Sequence, residues 1–257
     1  MSYLKQNSID IAMIQEHNIK DAKRIQYLTE FYHIILNKSI LLKGGTLIAI
    51  DKKLPCTIGL LYTHPTSRLT TVYLNIFETK LYLMNVYAPS GKNKERERED
   101  FFENELMQSL ITNTDNVILA GDWNCILSPN DSSRPANTSL SQNLKGIINN
   151  LRFKDIISAR KSKPEFTYYH HDYAARLDRI YVSKLFNNIV SSATKSAYLS
   201  DHLNVSVEIN VSVNVKIGRP QWMLNVSLLK KNLIKENFAI LWSYLQNRKS
   251  SFPNVTC

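Results

Sequence analysis

Short runs of alternating or continuous apolar residues recur along the chain, at 9–14, 46–50, 57–62, 70–77, 81–87, 117–120, 166–169, 180–182 and 203–213. Many of these positions are β-branched or aromatic, and period-two alternation in such runs predicts strands. Three stretches carry helical spacing instead: 21–33, 95–111 with its Glu and Arg pairs, and 140–151. The early strands follow one another through short turns such as Lys43-Gly44-Gly45 and Glu78-Thr79-Lys80, which suits an antiparallel meander and excludes a doubly wound parallel sheet for this part. Two sheets packed face to face with helices outside are the economical way to bury so many apolar strands. After Val213 the pattern changes. Residues 214–224 contain Gly218 and Pro220 and are predicted to be a linker. Residues 225–248 place Leu229, Leu233, Ile240, Leu241, Tyr244 and Leu245 on one side of an amphipathic helix.

Composition narrows the class. The chain has 257 residues, 44% of them hydrophobic and 21% charged, close to the globular average, so disorder, collagen and rod-like coiled coil are excluded. No window offers the roughly 20 apolar residues of a spanning helix. The first residues also lack the pattern of a secretory signal, so the expectation is a soluble, intracellular protein. Cys56, Cys125 and Cys257 are too scattered for a disulfide framework or a zinc cluster and are expected to be reduced thiols. The net charge is +10, of which +6 lies after residue 215. A polyanion partner is compatible with that balance, though charge alone does not establish one.

Five polar clusters stand at strand ends, where such scaffolds present their sites. They are Gln15-Glu16, Asn85-Val86-Tyr87-Ala88-Pro89, Gly121-Asp122-Trp123-Asn124, Arg176-Leu177-Asp178-Arg179-Ile180 and Ser200-Asp201-His202. Each alone has an ordinary structural reading: a solvated strand end, a buried Tyr before a turn, an Asx turn, a strand-entry salt-bridge cluster, a cap. His170-His171-Asp172 looks metal-like, but adjacent side chains of a strand point to opposite faces, so a loop or hairpin tip is expected there rather than a ligand pair.

Taken in order, QE, NVYAP, GDWN, RLDRIYVS and SDH resemble the endonuclease/exonuclease/phosphatase superfamily, and within it the apurinic-type endonuclease domains of LINE retrotransposons. Phe166-Thr167-Tyr168 resembles an FTW motif of that family with Tyr in place of Trp. Residues 221–229, QWMLNVSLL, resemble the segment that follows such domains before a reverse transcriptase. The resemblance implies an α/β (α+β) fold, a four-layer α/β/β/α sandwich of two mostly antiparallel sheets with outer helices. It implies an endonuclease-like domain over 1–213, with 214–257 a basic linker and amphipathic helix. Family members open with a further strand bearing a metal-site Asn, which this sequence lacks.

The implied activity is divalent-metal-dependent hydrolysis of a phosphodiester, nicking target DNA to leave a 3′-hydroxyl for primed reverse transcription. The cofactor would be Mg²⁺, with Mn²⁺ as an alternative. Glu16 is expected to ligate the metal, assisted by Asp201. Asp122 would position and deprotonate the attacking water, and Asn124 would hold the phosphate. His202 would donate to the phosphate, its state fixed by Asp178, while Tyr87 supplies a phenol near the phosphate or leaving oxygen. The implied partners are DNA and a reverse transcriptase domain, without a membrane, and a nuclear location follows from action on DNA. Two other readings share the fold: a decayed remnant with weak DNA binding, and a phosphatase acting on phosphorylated small molecules or lipids.

Overall fold

The computed structural model describes residues 2–40, 44–77, 79–91, 93–110, 116–134, 140–157, 165–183, 189–196, 200–211 and 232–248. A short helix α1 (Ser2–Gln6) leads into β1 (Ile11–Gln15), which pairs antiparallel with β3 (Thr46–Asp51). On its other side β3 pairs antiparallel with β2 (Tyr32–Asn37). This three-stranded sheet faces a six-stranded one in the order β4 (Cys56–Thr63), β5 (Leu69–Ile76), β6 (Thr79–Tyr87), β7 (Val117–Asp122), β11 (Asp178–Val182), β8 (Lys154–Asp155). Within it β4, β5 and β6 form the expected meander. Only β6 and β7 run parallel, because the helical segment between them carries the chain back. That segment comprises α2 (Glu95–Asp100), a π-helical stretch Phe101–Leu106 and α3 (Met107–Ser109).

Period-two alternation sorts the side chains into layers. Ile48 and Ile50 of β3 point inward against Val72, Leu74, Leu83, Ile118 and Ile180 of the large sheet. Leu47 and Ala49, one residue out of phase, pack outward on Ile25 of the 3-10 helix Ala22–Glu30. On the far face of the large sheet Met84, Leu119 and Tyr181 meet Phe101, Phe102 and Leu106, together with Leu144, Ile147 and Ile148 of α4 (Gln142–Asn150). The result is the four-layer sandwich with helices outside. A hairpin, β9 (Tyr168–His170) and β10 (Tyr173–Ala175), and a two-stranded ribbon, β12 (Ile189–Ser196) and β13 (Leu203–Ile209), complete the described strands.

Several boundaries differ from the pattern. The helix expected over 21–33 is a 3-10 helix that stops at Glu30, and Tyr32 onward is β2. The run Tyr32-His33-Ile34-Ile35-Leu36 is apolar at both spacings, and pairing with β3 decides it. The strand β12 has a Ser- and Thr-rich sequence that gives no periodic signal. The strand expected over 203–213 ends at Ile209. Of the helix expected over 225–248, α5 (Asn232–Arg248) is described; the linker, the QWMLNVSLL segment and Cys257 lie outside the described residues.

Candidate active site

The register of the large sheet assembles the site. Tyr87 of β6 and Asp178 of β11 are both Cα partners of Asp122 in β7, so the three lie in one row across adjacent strands. Each belongs to the inward-facing set of its strand. Leu81, Leu83, Asn85 and Tyr87 share one face, as do Ile118, Ala120 and Asp122, and likewise Val182, Ile180 and Asp178. Along every strand the inner row therefore passes from aliphatic core to polar site at the same edge of the sandwich. Gly121 permits this approach of β7 to β6. Its φ is 150°, and a Cβ there would stand 1.9 Å from the Val86 carbonyl oxygen.

The small sheet contributes from the opposite wall. Gln15, the last residue of β1, donates through Nε2 to Oδ1 of the fully buried Asn85 at 2.6 Å, and Asn85 returns its amide hydrogens to the carbonyls of Ile14 and Leu47. This tie fixes the end of β1 over the inner row. Glu16 follows in a left-handed backbone conformation (φ 51°), half-buried, near enough for its charge to act on both Asp122 and Tyr87.

Asp122, Asp178 and His202 converge, with one ligand atom of each lying within 4.8 Å of the others. Nδ1 of His202 stands 2.8 Å from Oδ2 of Asp178. Burial disfavours the imidazolium, but the Asp178 hydrogen bond and charge, with the charges of Asp122 and Asp201, outweigh it and raise the His202 pKa to about 9. Asp122 is pushed the other way from ordinary carboxylates. Burial and then the neighbouring Asp178 charge raise its pKa to about 7, against the lowering effects of His202 and the Asn124 N–H. Asn124 is also left-handed (φ 48°). Its N–H donates to Asp122 Oδ1, and its side-chain amide donates to Asp122 Oδ2 at 2.9 Å and to the Ala88 carbonyl at 3.0 Å. The Tyr87 hydroxyl lies 3.2 Å from Ser90 Oγ, and burial above all pushes its pKa up to about 12.

The structure thus brings together Glu16, Tyr87, Asp122, Asn124, Asp178 and His202. Asp201 is exposed beside them. Its charge acts on His202 and Tyr168, and its carbonyl accepts from the Tyr169 N–H, but its carboxylate is not among the three converging groups. The arginines that flank Asp178 have the salt-bridge role that their sequence suggested. Arg179, one residue out of phase with Asp178 in β11, and Arg176, just before the strand, are buried and paired with Asp131 and Asp155. His170 and His171 form a hairpin tip between β9 and β10, as expected. Sequence reasoning missed the Gln15–Asn85 tie and the ring of Tyr168 against His202 (centroids 4.9 Å apart), since neither pair is close in sequence.

Residues 1–202 match the model of the endonuclease/exonuclease/phosphatase family. The chain belongs to that family. Solved structures share its fold at low identity. The 3′ phosphatase NExo from Neisseria, solved with a product DNA hairpin, superposes with a TM-score of 0.66 at 17% identity, covering 81% of this chain and 92% of that one. AP endonuclease LMAP from Leishmania major gives 0.62 at 16%, covering 80% of each chain. The endonuclease domain of TRAS1, a telomere-specific non-LTR retrotransposon, gives 0.59 at 15%, covering 80% of this chain and 88% of that one. No curated protein matches the sequence at a significant level. Among the described residues no helix is long and apolar enough to cross a membrane.

The donor set suits a hard divalent cation. Burial, and after it the negative charge of Asp178 and Glu16, raises the pKa of Asp122, and a cation placed among these oxygens would offset both effects.

Proposed function

We propose that this chain is a divalent-metal-dependent DNA endonuclease of LINE retrotransposon origin, nicking one strand to leave a 3′-hydroxyl. The observation that carries the reading is the convergence of Asp122, Asp178 and His202 on one inner row, with Asn124 and Tyr87 beside them. Glu16, assisted by Asp201, would hold Mg²⁺ or Mn²⁺, and the bound ion would neutralise phosphoryl oxygens. Asp122 in its ionised form takes a proton from water, whose oxygen attacks phosphorus as the bond to the 3′ oxygen breaks. Asn124, bonded twice to Asp122, aims that carboxylate and exchanges its Ala88 contact for a phosphate oxygen. His202 is a cation at neutral pH through its Asp178 partner and donates its other N–H to the developing charge. Tyr87, whose hydroxyl keeps its proton at any physiological pH, donates near the leaving oxygen.

The likeness of NExo, whose structure is described as that of a 3′ phosphatase, favours a second reading: hydrolysis of a phosphate monoester by the same groups. Incubation of the chain with supercoiled plasmid and Mg²⁺ separates the two. Open-circular DNA with 3′-hydroxyl ends, lost on chelation and in His202→Gln, is the expected result. Intact plasmid together with release of inorganic phosphate from 3′-phosphorylated oligonucleotides would overturn it in favour of the monoesterase. Residues 214–257 are assigned as a connecting arm, basic enough to contact DNA and suited to lead into a reverse transcriptase domain, with nuclear action implied by that chemistry.

A further inference from the structure

Asp178 and His202 come from separate segments, and the hydrogen bond between them requires that those segments be held in a common frame. Asp178 opens β11, whereas His202 sits just before β13 and forms only an isolated bridge with Tyr168. One residue touches both. Thr167, fully buried, accepts two hydrogen bonds at its Oγ1, from the N–H groups of Leu177 (3.0 Å) and Asp178 (2.9 Å). Its carbonyl accepts from the Leu203 N–H at 2.6 Å, and the Tyr169 N–H donates to the Asp201 carbonyl at 2.9 Å, bracketing His202 from both sides. Its own N–H donates to the Ala175 carbonyl at 3.0 Å, which fastens the same point to the start of the Arg176–Asp178 turn.

We infer that Thr167 is a positioning residue for the Asp178–His202 pair: its hydroxyl sets the Asp178 backbone and its main chain sets the His202 backbone, so that the imidazole and carboxylate meet at hydrogen-bond distance. The main-chain half of this junction is available to any residue type. The side-chain half needs an acceptor of Thr or Ser length, because two adjacent N–H groups converge on one buried oxygen. A valine has the shape of threonine without that oxygen and leaves both N–H groups unsatisfied, and the Asp178 backbone then loses its anchor. A hydroxyl at 167 therefore determines whether His202 receives its partner, although it belongs to neither segment.

The functional arm of the test rests on the nuclease reading, and the spectroscopic arm does not. In the full chain with isotope-labelled imidazoles, the His202 Nδ1 proton bonded to Asp178 gives a downfield NMR signal that is identified by its loss in His202→Gln. It is expected to be present in the unaltered protein and in Thr167→Ser, and lost in a folded Thr167→Val. With plasmid as substrate, Thr167→Val is expected to lower kcat about 100-fold, the scale of a misplaced catalytic group, with KM nearly unchanged, and Thr167→Ser to recover most of it. Persistence of the His202 signal in folded Thr167→Val overturns the inference. Its loss in Thr167→Ser does the same. Should Thr167→Val not fold, amide exchange in the unaltered chain decides: slow exchange at both Leu177 and Asp178 supports the double bond to Oγ1, and rapid exchange at either refutes it. A chain that nicks no DNA but shows the expected signals refutes the nuclease reading and leaves the positioning role standing.

Discussion

Oδ2 of Asp178 and Nδ1 of His202 lie 2.8 Å apart, so the two act as a single charge-assisted unit. The imidazole is only about a quarter exposed, which leaves the pair little screened by water. Its pKa of about 9 lies above the ordinary histidine value, so the folded state binds the proton more tightly than the unfolded chain. The stability from this pair is therefore complete below about pH 6.5 and disappears as pH rises through about 9. Melting curves across that window should show a decline in Tm of roughly 3 °C or more. His202→Gln should flatten the decline, and an identical slope in both proteins would count against the pair.

Asp122 is shifted in the same direction for a different reason. Burial and the Asp178 charge raise its pKa to about 7, so the fold holds a proton that the unfolded chain has already released. Its contribution to stability falls as pH rises from about 4 to 7. Asp122→Asn removes an ionisable group from a site that disfavours its charge. At pH 8 this variant is expected to melt at or above the parent temperature while nicking at least about 100-fold more slowly, the usual opposition of stability and function at an active site. Calorimetry and plasmid nicking on one preparation check both halves.

A cation among the carboxylates reverses that balance. Mg²⁺ at a hundredfold excess over its dissociation constant should stabilise the fold by about 2.7 kcal/mol, and at a fixed Mg²⁺ concentration the shift should grow as pH rises through about 7, where the Asp122 proton ceases to compete with the ion. Thermal melting with and without Mg²⁺ measures it. Glu16→Gln and Asp122→Asn should each shrink the shift, and an undiminished shift in both would place the ion elsewhere.

Behind the site, Asp131 is bonded by Arg176 Nε at 2.8 Å and by Arg179 at 3.1 Å, and it also accepts the N–H groups of Leu127 and Ser128. Truncation to Ala removes the carboxylate shared by two buried guanidinium groups and leaves them with Asp155. The expected cost is about 3 to 5 kcal/mol, the range for breaking one side of a buried ion pair. Urea denaturation should resolve it, and a loss below 1 kcal/mol would mean that water replaces the carboxylate.

The basic arm lends itself to a binding measurement. Deleting 216–257 removes +6 of the +10 net charge. For every phosphate that the shortened chain no longer neutralises, the log-log salt slope of duplex binding falls by about 0.9. A flatter slope with nicking chemistry retained is the expected result. A large fall in Tm with the slope unchanged would instead make the arm part of the core.

Much of this protein is written locally in its sequence. Alternation in β5, β6 and β7 and helical spacing in α4 are carried by neighbouring residues, so these elements were legible without coordinates. The polar ends of the strands were legible too, because Asp122, Asp178 and His202 interrupt apolar runs. What the sequence left open depends on pairing between distant segments. Tyr32–Asn37 and Ile189–Ser196 become strands only because β3 and β13 supply their hydrogen bonds. Tyr87, Asp122 and Asp178 share a row only because β7 meets β6 in parallel and β11 antiparallel, in registers that a slip of one residue would destroy. Alternation within β11 separates Arg179, sent to a buried ion cluster, from Asp178, sent to the site, while Arg176 joins that cluster from the turn before the strand, a placement that only the packed structure decides. The protonation of Asp122 and His202 belongs to this last class, since burial and opposed charges exist only once both sheets have closed over them.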